Sequence, residues 1–147
     1  MPNAILTKHD GTITSIPADS VVAILSTSLD ALDENRPQLR SIVISTFRGQ
    51  ASDYLAHTAV DAAGEIEKAR STKRGALLRS AKPRAWLELA VGEDVTRLLP
   101  GSVPGYETLN DERLRLYWQP PKGDPIPLDV NNTPENQARL DADIEGA

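Results

Sequence analysis

A small α+β domain is the fold class this sequence predicts, and three observations predict it. An Asp-Gly pair stands between two β-prone runs near the N-terminus. Apolar residues recur at helical spacing between residues 52 and 71. Apolar and polar residues alternate strictly near 86–91 and again near 113–118. Together they imply an N-terminal hairpin, two or three helices with the main one near 52–71, and a small antiparallel sheet built on the two alternating stretches. A single domain over 1–119 and an extended C-terminal arm over 120–147 complete the expectation.

The hairpin spans about residues 3–16. Ala4-Ile5-Leu6-Thr7 and Thr12-Ile13-Thr14-Ser15-Ile16 flank Asp10-Gly11, and Asp-Gly favours the tight turns that match strand twist. After Pro17, Asp19 or Ser20 can cap a helix reaching about Asp33, with Val21, Ile24, Leu25, Leu29 and Leu32 as its stripe. Asn35 and Pro37 break it. Over 39–47, the β-branched Ile42-Val43-Ile44 favours a strand, while Leu39, Ile42, Val43, Thr46 and Phe47 also fit helical spacing.

The main helix is expected to start at Ser52 as N-cap and to carry Leu55, Ala59, Ala62, Ala63, Ile66 and Ala69 on one side. Gly75 and Pro83 bound a short basic element over 76–81. Leu87, Leu89 and Val91 share one strand face. Residues 93–99 read as a short helix and 102–112 as loop. Leu114, Leu116 and Trp118 define a second strand, expected to pair with 86–91. Beyond Pro120 the chain is rich in proline and acid, a composition typical of tails. A short helix over 134–144 is compatible with it.

The length, 147 residues, suits one domain with a real core. Aromatics are 4%, so that core has to be built from Leu, Val, Ile and Ala. The absence of cysteine excludes disulfides, thiolate nucleophiles and cysteine-ligated metal or iron–sulfur centres. No basic region followed by a long apolar run opens the chain, and Val21–Leu25 is its longest apolar run. No signal peptide or transmembrane segment is expected, and the location should be cytoplasmic, or a virion for a viral protein.

Charge is segregated. Residues 1–67 are net −5 and residues 85–147 net −7, whereas 68–84 hold Lys68, Arg70, Lys73, Arg74, Arg79, Lys82 and Arg84 with no acid. Such a segment can bind a polyanion or dock on an acidic protein surface. The acidic flanks favour docking. Lys73, Arg74, Arg79, Lys82 and Arg84 are the candidate partner-binding residues, with Trp86 as a possible stacking surface for a base. No nucleic-acid-binding signature accompanies them.

Catalytic constellations are sparse. His9 sits beside Asp10 at the expected hairpin tip, where a turn role outweighs metal binding. Asp53, His57 and Asp61 are spaced to share one face of the main helix, as carboxylate–imidazole ligands or an oriented base would. That face lies opposite the apolar stripe, so a solvated surface is the expectation. No phosphate-binding glycine loop and no Gly-x-Ser-x-Gly elbow is present. No catalytic residue, metal or cofactor is assigned. The sequence therefore points to a non-enzymatic structural or assembly protein in a larger complex, for instance a virus or phage particle, with contacts through the basic segment and the arm. The alternative is a small nucleic-acid-binding regulator acting through the basic segment.

Overall fold

A computed structural model describes residues 3–70 and 85–146. Ten strands in three sheets and two α-helices make these residues mostly β, with 21% helix, which corrects the expected α+β balance. The strands are β1 (Asn3–Thr7), β2 (Ile13–Pro17), β3 (Val21–Ser26), β4 (Ser41–Ser45), β5 (Ala51–Leu55), β6 (Leu87–Val91), β7 (Asp94–Leu98), β8 (Gly105–Thr108), β9 (Arg113–Trp118) and β10 (Ile126–Asn131). The helices are α1 (Ala59–Arg70) and α2 (Pro134–Glu145).

The central sheet runs β5-β4-β3-β7-β6, all antiparallel. One side packs on α1 and the β1–β2 hairpin, around Leu6, Ile24, Leu55 and Ile66. The other packs on the β10-β9-β8 sheet and α2, around Leu25, Leu89, Leu114, Trp118 and Leu140. β3 is buried on both faces, with Ile24 in the first cluster and Ala23 and Leu25 in the second.

That double burial explains the first correction. Val21–Leu25 is a continuous apolar run because both of its faces are covered, and such a run mimics a helical stripe. No helix follows Asp19: a three-residue 3-10 turn, Ala18–Ser20, leads directly into β3. The β-branched segment after Pro37 is a strand, β4, as its composition favours.

The main helix is shorter than its apolar pattern suggests. Residues 51–55 are strand β5, and Leu55 reaches the helix-side core from that strand. Ser52 therefore caps nothing. The α1 N-terminus is closed instead by Asp94, whose Oδ2 accepts from Ala59 N at 2.8 Å and Oδ1 from Val60 N at 2.9 Å. Thr58 Oγ1 accepts from Asp61 N at 3.1 Å. The Ala-rich face of α1 allows close approach to β1, where Ala4 and Leu6 are buried. Arg70 anchors the far end through Asp19 at 3.1 Å and Glu67 at 3.2 Å.

Residues 94–98 form a strand, not the expected helix. Gly92, at φ 62°, and Glu93 make the two-residue turn that folds β7 back on β6. β8 forms within the expected 102–112 loop, and it and β10 flank β9. The two alternating stretches thus become strands of different sheets, β6 and β9, and do not pair.

The expected extended arm is also overturned. β10 pairs with β9 along its whole length, and α2 follows with Thr133 as N-cap and Pro134 in its first turn. Val130 and Leu140 are buried in the same cluster as Leu25 and Leu89, so the core crosses the anticipated boundary at residue 120. Asn136, fully buried, binds the outer edge of β6: Ala90 N donates to its Oδ1 at 3.0 Å, and its Nδ2 donates to Ala90 O at 2.9 Å. Asn131 does the same to Gly92, at 2.9 and 3.1 Å, and Arg139 donates to Glu88 O at 2.9 Å. Three side chains thereby occupy alternate residues of an edge that would otherwise be open to another strand.

Candidate functional site

The anticipated partner-binding residues Lys73, Arg74, Arg79, Lys82 and Arg84 lie outside the described residues, as does the basic element at 76–81. Lys68 and Arg70 fall in the last turn of α1, where the helix dipole favours cations.

Asp53, His57 and Asp61 do not share the single helix face expected for them. Asp53 is in β5, His57 in the turn after it, and Asp61 in the first turn of α1. His57 Nε2 accepts a hydrogen bond from Thr7 N at 3.0 Å, so the imidazole joins β1 to the end of β5 as an architectural acceptor. His9 packs edge-on against Tyr54, and Asp10 accepts from both the backbone and the hydroxyl of Thr12. These bonds, first the hydroxyl, hold the Asp10 carboxyl below its ordinary pKa. Both residues serve the turn. Trp118 is 1% exposed within the core, and Trp86 packs partly buried against the α1 cluster. Among the described residues no group of three or more His, Asp or Glu side chains converges as a metal site. No helix among them is long and apolar enough to cross a membrane.

One cleft of about 450 Å³ lies beneath the 27–40 loop, with Asp30, Asp33, Leu39, Arg40, Ile42 and Asp94 among its lining residues. Arg36 holds the loop down by stacking over Tyr54, 4.2 Å from the ring centre. The polar groups of the cleft largely serve each other. Asp94 is committed to the α1 cap, Asp33 to Arg36 and Asn35, and Arg40 to the carbonyls of Pro37 and Leu39. Asp30 differs: burial raises its pKa first, and the nearby Asp129 raises it further, against a smaller opposing pull from Arg113. A single carboxyl with a raised pKa does not by itself make an acid–base constellation.

The hairpin offers a different kind of site. Its inner face, Ala4, Leu6 and Ile16, is buried against α1. Its outer face carries Ile5, 64% exposed, and Ile13, 70% exposed. In the β1–β2 register Ile5 faces Ser15 and Thr7 faces Ile13, so the two isoleucines are diagonal neighbours on one surface. β1 is closed on its other side: Ala56 N donates to Thr7 O at 3.0 Å and His9 N to Tyr54 O at 2.9 Å. β2 ends the two-stranded sheet with nothing beyond it among the described residues.

No family model, curated protein or solved structure matches the chain.

The sequence pattern singled out the basic segment and passed over Ile5 and Ile13. The signal was present. Once Asp10-Gly11 fixes the turn, period-two alternation assigns Leu6 and Ile16 to one face and Ile5 and Ile13 to the other. A hairpin apolar on both faces needs two partners, and the described residues supply one.

Proposed function

We propose that this protein is a non-enzymatic interaction module that works as part of a larger assembly, with the outer face and free edge of the β1–β2 hairpin as its contact surface. The observation that carries this reading is the contrast between two sheet edges. The β6 edge is closed residue by residue by Asn131, Asn136 and Arg139. Among the described residues the β2 edge has no such cover, and it lies beside two largely exposed isoleucines. Natural sheets cover, charge or shorten their edges, so an uncharged edge flanked by apolar side chains favours a partner. The basic 68–84 segment supplies a second contact in this reading, suited to an acidic protein surface.

The test is the native mass of the chain in extract of its source cells. The proposal expects it to migrate well above its own 15.9 kDa, and expects a paired Ile5→Lys and Ile13→Lys variant to fall back to that mass with an unchanged melting temperature. Migration of the wild type at its own mass would overturn the reading. A large complex lost on nuclease treatment, but kept by the double variant, would instead favour nucleic acid held by the basic segment.

A further inference from the structure

We infer that the occupant of the β2 edge is a second copy of this chain, paired antiparallel through β2 about a two-fold axis beside Thr14. The inference rests on the interaction reading above and names its partner.

The phase of the hairpin decides which groups are free. Lys8 N donates to Thr12 O at 2.7 Å, which makes residues 8 and 12 a hydrogen-bonded pair. Such pairs alternate along an antiparallel ladder, so Leu6 with Thr14 and Ala4 with Ile16 also exchange bonds across β1–β2. The backbone groups of Ile13 and Ser15 therefore point outward. Thr7, opposite Ile13, shows the same phase on the other strand: its N–H and C=O point away from β2, to His57 and Ala56.

This edge complements itself. Two antiparallel copies can set Ile13 of each against Ser15 of the other, and each such pair exchanges both backbone hydrogen bonds. Thr14 then meets its own counterpart across the axis, and cross-strand Thr–Thr pairs are favourable. On the outer face, Ile5 and Ser15 of one copy line up with Ile13 of the other, so the isoleucines of both copies close into one patch. No residue from Ile13 to Pro17 is charged, so the two-fold brings no like charges together within β2. Pro17 has no N–H and ends the ladder. The contact is isologous and closes at two copies instead of propagating.

The surface is small against a standard interface, so in the purified chain, without the other contacts of the assembly, association is weak and depends on concentration. The experiment uses the purified full chain at rising concentrations up to about 1 mM, where a millimolar contact is half formed. Solution mass is followed together with amide hydrogen exchange. The expected result is a mass rising toward twice the monomer value, while the Ile13 and Ser15 amides gain protection and those of Thr14 and Ile16, already bonded to β1, stay unchanged. Ile13→Lys should hold the protein monomeric at every concentration without lowering its melting temperature. Ser15→Pro, which removes an outward N–H, should weaken the dimer as well. A monomer throughout, or a dimer with the Ile13 and Ser15 amides unprotected, would overturn the inference. So would a dimer that survives Ile13→Lys. A pure monomer that still enters a larger complex in extract, and leaves it on the Ile5 and Ile13 changes, removes the second copy as occupant and retains the interaction reading.

Discussion

Asn136 and Ala90 exchange hydrogen bonds as two strand residues would, although Asn136 lies on a helix. The donors fix the orientation of the amide, since Ala90 N–H requires an oxygen opposite it and Ala90 O a nitrogen. The same Nδ2 also reaches Asn131 O at 2.8 Å, so the side chain is satisfied at full burial.

Asn136→Leu should be strongly destabilising. It leaves the Ala90 N–H and the carbonyls of Ala90 and Asn131 without their partner in a dry site, at a cost of about 3 kcal/mol. Asn136→Asp should do little better, because a carboxylate cannot donate to either carbonyl. Urea denaturation midpoints would measure both. A loss under about 0.5 kcal/mol, the range of ordinary surface changes, would mean that water replaces the amide.

Asp94 acts at a distance on the opposite layer. It lies 35 residues from Ala59 and is 7% exposed, yet it supplies the acceptors for the first turn of α1. Asp94→Ala should cost about 2 kcal/mol, the upper range for losing a helix cap. Asp94→Asn, which keeps one acceptor oxygen, should fall between. Amide exchange should show the loss first at Ala59 and Val60.

How much of this was legible follows from which neighbours each element needs. The hairpin, β4, β6 and β9 are visible because turn chemistry or alternation is local. β3 mimics a helix because its sequence reports burial on two faces, and a one-dimensional pattern does not separate that from a helical stripe. β5 merges with the helix in sequence because Leu55 continues the Ala59–Ile66 spacing while serving the same core from a strand. The C-terminal segment looks like an arm because Asn131 and Asn136 tie it to a remote strand edge. Asparagine in a proline-rich stretch carries no periodicity that would announce such a role.

Asp30, exposed but partly desolvated at the cleft, is expected to give the fold a pH dependence. Partial desolvation, then Asp129, raises its pKa above the ordinary 3.8, so the folded state holds this proton more tightly than the unfolded state does. The associated stability is present below pH 3.8 and is lost as pH rises through the raised value. Asp30→Asn should therefore increase the melting temperature at neutral pH, and the difference should vanish in acid. Parallel melts of both proteins across that range provide the check, and equal melting temperatures at neutral pH would show that the carboxyl is fully solvated.

The pairing of β3 with β7 has a kinetic consequence. Ser26 N donates to the Thr96 hydroxyl across 70 residues of sequence, and Ala23 and Ile24 face Leu98 and Arg97. β3-β4-β5 is a run of neighbours, and so is β6–β7, so each can zip from its own turns. Joining them closes a loop that contains α1 and the whole basic stretch, and that loop entropy has to be met before the central contacts reward it. The seam between the two meanders, buried at the centre of the sheet, is thus the expected slow step of folding. The rate of reaching the native state is therefore expected to follow the sequence separation of β3 and β7 more than the packing within either meander.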